Sequence, residues 1–349
     1  MLKHLTIHLT KACNLNCENC HVAATAGLID DNGIDKNIIE NLFVPSLKSV
    51  SIAGGEPFYV KEKLYEFLKF VPKDIESVAI TTNGLLINNE DFSIIKNKKI
   101  RLQFSVDGNA NDHENNRGKG TYKKIIDNIK KAVDNGIRVD ILTTVSNKNI
   151  NDIYKFIREI DVLGVENISL LHFTPKGRGV YRSENEVSKA DWIRFCYDLK
   201  KMTCNVSTRI WVQPRFITIE QLNNMEENRK INMCNCHRFE YAYVDIDDGV
   251  VYPCGLAYDT PLAIGTLKEY NIDYLIKNAL EKNMIPIECS KCSLVSKCGG
   301  GAKCYAWLEK KRLDEKDPWC KNDGFVPICP FPAVYVSGPK MKTDRPTIV

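Results

Sequence analysis

An α/β protein with a parallel sheet, curved or closed like a barrel and covered by helices, followed by a small cysteine-rich region, is the fold this sequence predicts. Apolar strand-like runs alternate with amphipathic helical runs from residue 1 to about 215. Every distinctive short motif in that half directly follows a predicted strand, where parallel α/β sheets keep their chemistry. Beyond residue 215 periodicity fades while Cys, Gly and Pro accumulate. With 349 residues and 44% apolar content, the chain can fill one large domain over residues 1–215 and a smaller one over residues 216–349.

Predicted strands are Leu5 to Thr10, Ser49 to Ala53, Val78 to Thr82, Arg101 to Val106, Arg138 to Val145 and Asn167 to Leu171. Between them Lys61 to Phe70, Tyr122 to Asn135 and Ile150 to Ile160 carry apolar residues three and four apart, the pattern of a helix with one buried face. The first strand is followed by Cys13-Asn-Leu-Asn-Cys17-Glu-Asn-Cys20, the second by Gly54-Gly-Glu-Pro57, the third by Thr82-Asn-Gly84 and the fourth by Ser105-Val-Asp-Gly108. Past Trp211 to Pro214 the character changes. Phe216 to Lys230 reads as a polar helix, Ala242 to Pro253 as a hairpin turning at Asp247-Asp-Gly249 and ending on Cys254, and Asn271 to Lys282 as a short helix. The remainder to Val349 has too little periodicity to fold on apolar burial alone, and metal ligation is the usual substitute.

Charge and composition exclude several classes. Forty-eight basic and 44 acidic side chains are mixed along the chain, with a net charge of +4, so there is no nucleic-acid footprint. Lysine pairs such as Lys123-Lys124 read as solvated faces. No long apolar run spans a membrane and Met1 to Leu5 lacks a signal-peptide pattern, so the expected location is cytoplasmic. In that reducing compartment, fourteen cysteines are better read as metal ligands than as disulfides.

The three thiols at 13, 17 and 20 form an incomplete ligand set, because a four-iron cluster and a structural zinc each want four ligands. On the residues alone they fit an iron–sulfur site, part of a zinc site, or buried thiols. Gly54 and Gly55 allow close backbone approach to a ligand, and Glu56 can accept from an ammonium group; the same four residues also suit an ordinary turn. Taken together, the two motifs resemble those of the radical S-adenosylmethionine (SAM) family. That resemblance implies a partial (β/α)6 barrel and a [4Fe–4S] cluster on Cys13, Cys17 and Cys20, whose fourth iron binds SAM. It also implies that Gly54, Gly55 and Glu56 hold the methionyl amine, that Asn83, Ser105 and Asp107 lie near the methionyl or ribose part, and that Arg117 reaches the SAM carboxylate. One departure stands beside the cluster loop: Asn19 and His21 occupy the places where the family often has an aromatic residue packing on the adenine.

The later cysteines form a second constellation. Spacing alone suits zinc knuckles, but the pattern resembles the SPASM extension of radical SAM enzymes, which carries one or two auxiliary [4Fe–4S] clusters. The resemblance implies an outer cluster on Cys289, Cys292, Cys298 and Cys320, and an inner one on Cys254, Cys304 and one or both of Cys234 and Cys236. Cys329 is a spare that either completes the inner set or stays outside it. The five residues between Cys298 and Cys304 make a longer interval than the extension usually has. Cys196 and Cys204, on or after a predicted helix from Ala190 to Met202, read as core thiols.

What the resemblance implies for function is a radical SAM oxidoreductase or maturase. A reduced flavodoxin or ferredoxin supplies an electron, SAM is cleaved, and the resulting 5′-deoxyadenosyl radical abstracts hydrogen from a peptide or protein substrate that is then modified or crosslinked. The alternative is a small-molecule substrate such as a tetrapyrrole side chain, with His172 to Arg178 offering cationic groups to its carboxylate. Sulfatase maturation ranks lower, because Gly255 follows Cys254 where those enzymes carry an acidic base. Glycyl-radical activation and a zinc-dependent scaffold rank lower still. No residue is singled out as a catalytic base. With only twelve residues ahead of Cys13, a peptide is expected to need a separate recognition protein or direct docking in the barrel.

Overall fold

The computed structural model describes residues 1–30, 33–96, 100–203, 206–213, 215–224, 234–282, 285–321, 323–329 and 334–337. They divide into two compact units. One comprises Ile7–Ile34, Lys48–Gln213 and Ala333–Val349; the other comprises Met1–Thr6, Asp35–Leu47 and Pro214–Pro332.

The first unit is built on a sheet whose central strands are parallel. The end of β1 (His4–His8) lies beside β4, and two short strands, β2 (Ala12–Cys13) and β3 (Thr25–Ala26), pair with each other in the loop that follows β1. Strands β4 (Ser49–Ala53), β5 (Ser77–Thr82), β6 (Ile100–Ser105), β7 (Arg138–Val145), β8 (Asn167–His172) and β9 (Arg209–Val212) follow in order, all parallel. The six predicted strands fall on β1 and β4 to β8, within one or two residues at most ends. Strand β9 was not predicted, nor was β15 (Val334–Ser337), which adds antiparallel to β9.

Alternation explains the strands: in β6 Ile100, Leu102 and Phe104 are buried while Arg101, Gln103 and Ser105 are half-buried. The crossovers are α2 (Lys61–Phe70), α3 (Asn89–Lys96), α5 (Thr121–Asp134) and α6 (Ile153–Asp161), with α4 (Ala110–Arg117) ahead of α5 and α7 (Lys189–Met202) ahead of β9. Helix α6 buries Ile153, Phe156, Ile157 and Ile160, one stripe at helical spacing. Glu166 accepts from Arg101 (3.2 Å), Arg138 (2.9 Å) and Arg209 (3.2 Å), tying β6, β7 and β9 together ahead of β8. Among the described residues no helix is long and apolar enough to cross a membrane.

The second unit contains α1 (Lys36–Leu42), β10 (Phe216–Thr218), α8 (Ile219–Asn224), the antiparallel strands β11 (Tyr241–Asp245), β12 (Val250–Tyr252) and β13 (Gly265–Thr266), α9 (Ile272–Glu281), α10 (Val295–Cys298), α11 (Lys303–Lys310) and β14 (Phe325–Pro327). The hairpin and α9 match the sequence. The polar helix expected over Phe216 to Lys230 is corrected: Phe216–Thr218 is a strand paired with Phe325–Pro327, and the helix covers Ile219–Asn224, while the rest of that stretch lies outside the described residues. The partner strand, distant in sequence, overrides the local pattern.

At the centre of this unit Arg215 and Asp317 form an ion pair with no exposed side-chain surface. Arg215 Nη2 donates to both carboxylate oxygens at 2.9 Å, Nη1 donates to the Ile328 carbonyl at 3.2 Å, and the guanidinium lies 3.8 Å above the Tyr305 ring. Asp317 also accepts from the amides of Ala302 and Trp319, each at 3.0 Å. Removing one partner leaves a buried charge unpaired, so Asp317→Asn is expected to cost about 3–5 kcal/mol, read as a lowered urea midpoint. Arg215→Met combined with Asp317→Leu should recover most of that loss, because no lone charge remains.

Candidate iron–sulfur and SAM site

The cysteine loop is set by backbone contact with the turn after β4. Gly55 N–H donates to the Thr10 carbonyl (2.7 Å) and Glu56 N–H to the Ala12 carbonyl (2.9 Å). A Cβ on Gly55 would lie 2.0 Å from the Ala12 oxygen, and one on Gly54 would lie 2.6 Å from the Thr10 oxygen at a φ of +127°. These glycines permit close approach to the cysteine-loop backbone itself.

Glu56 is fully buried. Its Oε1 accepts from Phe58 N–H (3.0 Å) and Thr82 Oγ1 (2.7 Å), and its Oε2 from Asn83 N–H (2.6 Å). Burial nevertheless raises its pKa to about 7, against the pull of these donors. Three of roughly four acceptor positions are filled, which leaves one at Oε2 for an ammonium. Asn83 is also engaged through its side chain, with Nδ2 donating to Asn14 Oδ1 (2.8 Å) and lying 3.9 Å from Cys13 Sγ.

Cys13 is buried, and Cys17 and Cys20 are half-buried. Backbone amides point at two of the sulfurs: Leu15 N–H to Cys13 Sγ and Ala24 N–H to Cys20 Sγ, both at 3.4 Å. Burial pushes the Cys13 thiol up to about 11 and raises Cys17 too, where Arg117 opposes it. Arg117 donates through Nε to Asp107 (2.6 Å). Burial disfavours its charge, but Asp107 and the Cys17 and Cys20 sulfurs more than reverse this. Asp107 is filled by Arg117, by Asn116 Nδ2 (2.6 Å) and by Thr144 N–H (3.3 Å), so its carboxylate fixes Arg117 through Nε. Ser105 is half-buried at the end of β6.

Asn19 and His21 have different surroundings. Asn19 accepts through Oδ1 from Asn185 (2.8 Å) and donates its amide to Asn116 (2.9 Å), while His21 is exposed. The cationic groups after the sixth predicted strand serve the same loop. Lys176 Nζ donates to the His21 carbonyl (3.1 Å), and Arg178 donates through Nε to the Cys17 carbonyl (2.8 Å) and through Nη1 to the Ala24 carbonyl (2.6 Å). In this clamp Lys176 and Arg178 act as part of a structural loop, the other role open to His172 to Arg178 besides offering cations to a carboxylate. Arg178 Nη2 is buried and has no hydrogen-bond partner among the described residues.

The C-terminal cysteines gather into two groups. Cys289 is influenced by Cys298, Cys320 and Cys292, the four thiols expected together. Gly299, Gly300 and Gly301 have φ of 64°, 84° and 82°, with Gly299 N–H donating to the Val295 carbonyl (2.8 Å) and Gly301 N–H to the Cys298 carbonyl (3.2 Å). This left-handed run takes up the long interval. In the other group burial and the neighbouring Cys254 push the Cys304 thiol up, and Cys236 and Cys329 both act on the Cys234 thiol, so Cys329 stands beside this group. Cys196 is half-buried on α7, and Cys204 lies outside the described residues. No disulfide joins the thirteen described cysteines. Among the described residues no three His, Cys, Asp or Glu side chains converge on a single-ion position. A four-iron cluster sets no such demand, since each thiolate takes a different iron.

Sequence reasoning missed Asn14, Asn116 and Asn185, whose roles depend on contacts far along the chain, and it gave Lys176 and Arg178 another task. For Glu56 the raised pKa has a measurable consequence. The folded chain holds this proton up to about pH 7 and the unfolded chain only to the ordinary carboxylate range. The associated stability is full below that range and lost as pH rises through about 7. The urea midpoint of the SAM-free protein should therefore fall more steeply between about pH 5 and pH 8 than that of Glu56→Gln; equal slopes would contradict a buried, titrating carboxyl.

The radical SAM superfamily model matches residues 7–160. AdoMet-dependent heme synthase of Methanosarcina barkeri is 26% identical over 340 residues, covering 89% of this chain and 94% of its own. The antilisterial bacteriocin subtilosin biosynthesis protein AlbA of Bacillus subtilis is 31% identical over 182 residues, half of this chain and 40% of AlbA. Among solved structures, Streptococcus suis SuiB bound to S-adenosylmethionine superposes with a TM-score of 0.69 at 17% identity, over 92% of this chain and 77% of SuiB, and SuiB is also solved with its precursor peptide SuiA. Residues 7–160 form a radical SAM domain, and enzymes of that superfamily use a [4Fe–4S] cluster together with SAM.

Proposed function

We propose that this enzyme modifies or crosslinks a peptide or protein, with Cys13, Cys17 and Cys20 holding the SAM-binding cluster. Support for the cluster assignment comes from the two amides aimed at Cys13 and Cys20 and from the Arg117 charge, which favours a thiolate at Cys17. Hydrogen bonds to sulfur and nearby cations both favour a ligating thiolate. The buried, unpartnered Arg178 Nη2 suits an anionic group beside the same loop. When bound, the cluster and SAM supply one-electron cleavage to methionine and a 5′-deoxyadenosyl radical that takes a hydrogen atom from substrate.

The chain's own residues position and shield that chemistry. Glu56 offers its remaining acceptor position to the methionyl ammonium, and the backbone contact at Gly54 and Gly55 fixes the loop against it. Arg117, held by Asp107, presents its guanidinium to the SAM carboxylate, while Asn83 and Ser105 flank the same strand ends. The C-terminal thiols, Cys289, Cys292, Cys298 and Cys320 in one group and the set around Cys254 and Cys304 in the other, hold auxiliary clusters. A reduced flavodoxin or ferredoxin is the electron donor.

One observation favours a peptide over a carboxylate-bearing small molecule: Lys176 Nζ and two of the three guanidinium nitrogens of Arg178 are engaged by carbonyls of the cysteine loop. AlbA and the SuiB–SuiA complex give the same direction among relatives. Decarboxylation or oxidation of a tetrapyrrole side chain is the second reading, favoured by the heme synthase match over most of both chains.

Changing Cys13, Cys17 and Cys20 together to Ala should abolish reductive SAM cleavage while the C-terminal iron stays bound; retained cleavage would refute the assignment. Offered separately to the reconstituted enzyme, a short cysteine-containing peptide encoded beside its gene should change mass in a SAM-dependent reaction. Loss of carbon dioxide from an iron tetrapyrrole dipropionate, with the peptide unchanged, would establish the second reading instead.

A further inference from the structure

The inner thiol group holds one sulfur more than a four-iron cluster takes, since Cys234, Cys236, Cys254, Cys304 and Cys329 all meet there. We propose that Cys329 is a fixed ligand of the inner cluster, together with Cys254 and Cys304, and that Cys234 and Cys236 are interchangeable at the fourth position. Every iron is then capped by a thiolate, and none is open to substrate. The inner cluster serves electron transfer and does not ligate substrate. This inference rests on reading the C-terminal thiols as cluster ligands.

Two pieces of geometry carry it. The first fixes Cys329. Ile328 N–H donates to the Arg215 carbonyl (3.1 Å), and the Arg215 guanidinium donates back to the Ile328 carbonyl (3.2 Å). The residue before Cys329 is thus bracketed on both sides by an arginine that is itself locked to Asp317, and Phe216 pairs with Pro327 just ahead. Cys329 is buried and acts on the Cys234 thiol. A thiol held this firmly among ligand thiols is placed to bind metal.

The second fixes the Cys234-Asn235-Cys236 turn. Asn235 is fully buried, and its carboxamide donates to the carbonyls of Tyr241 (2.7 Å) and Pro253 and accepts from the amides of Glu240 (3.1 Å) and Tyr241 (3.2 Å). Every hydrogen-bonding position of that side chain serves the end of β11 or the residue before Cys254. The turn is pinned at its middle residue, with one thiol on each side. Cys236 acts on the Cys234 thiol, and both lie beside the Lys303 ammonium, so the two sulfurs share one electrostatic environment. Cys236 also lines a groove of about 930 Å³ bounded by Tyr270, Tyr274, Leu275 and Lys303. When Cys234 ligates, Cys236 faces a space large enough for a reagent.

Iron content tests the ligand set directly. In anaerobically reconstituted protein, Cys234→Ala and Cys236→Ala should each keep the wild-type iron count. Cys329→Ala and the Cys234→Ala/Cys236→Ala double variant should each lose the inner cluster's iron or show the electron paramagnetic resonance signal of a three-iron form. Retained outer-cluster iron in those variants shows that the unit has folded. Independently, iodoacetamide on the loaded wild-type protein should modify one of Cys234 and Cys236, while Cys329 reacts only after chelation. Full iron in Cys329→Ala, rapid alkylation of Cys329, or loss of iron in either single variant overturns the proposal. A wild-type C-terminal unit that takes up no iron overturns the cluster reading itself, and this proposal with it.

Discussion

A carboxylate without contact to water holds the candidate SAM site together. Glu56 takes its donors from its own turn and from the end of β5, so two strand ends are joined through a single side chain. Asn83 passes the constraint on through Asn14 to the neighbourhood of Cys13. The backbones of residues 10–12 and 54–56 close the same circuit, where only the absence of a Cβ allows contact. Positions of the three sulfurs follow from this circuit and from the Lys176–Arg178 clamp on the other side of the loop. Neither group relies on long flexible side chains in solvent, and the geometry is therefore held in advance of any ligand.

The second unit meets the same need with different chemistry. Its apolar core is small, and its organising element is the Arg215–Asp317 pair. Asp317 holds Ala302, two residues before Cys304, and its backbone joins Gly300 and Cys320; Arg215 holds Ile328 beside Cys329. Both thiol groups thus take their register from one ion pair. A buried pair contributes little net stability over an apolar substitute, but it fixes direction at many points at once, and ligand loops need direction.

The parallel order of strands and the placement of every motif at a strand's carboxyl end were legible in the sequence, because period and punctuation are local properties. The cysteine loop after the first strand was legible in the same way. What escaped depended on partners distant in the chain. Phe216–Thr218 has a helix-like neighbourhood and becomes a strand because Phe325–Pro327 lies beside it. Helix α11 and strand β15 are too short to show a period. The close approach at the glycines after β4 was legible, but their contact with the backbone of residues 10–12 was not. Lys176 and Arg178 looked like substrate contacts, because a sequence shows that a cation exists and not which carbonyls it reaches.

The hydrogen bonds and ion pair that set the shape of the second unit, those of Arg215, Asp317 and Asn235, pass through no sulfur. Its scaffold and its ligands are therefore separable in the chain of cause. Were a cluster held there and destroyed by oxygen, the bracket around Cys329 and the pinned turn at Asn235 would not lose a bond of their own. Damage of that kind calls for new iron and sulfide and spares the cell the synthesis of a new polypeptide, so repair, rather than replacement, is the economy this architecture suits.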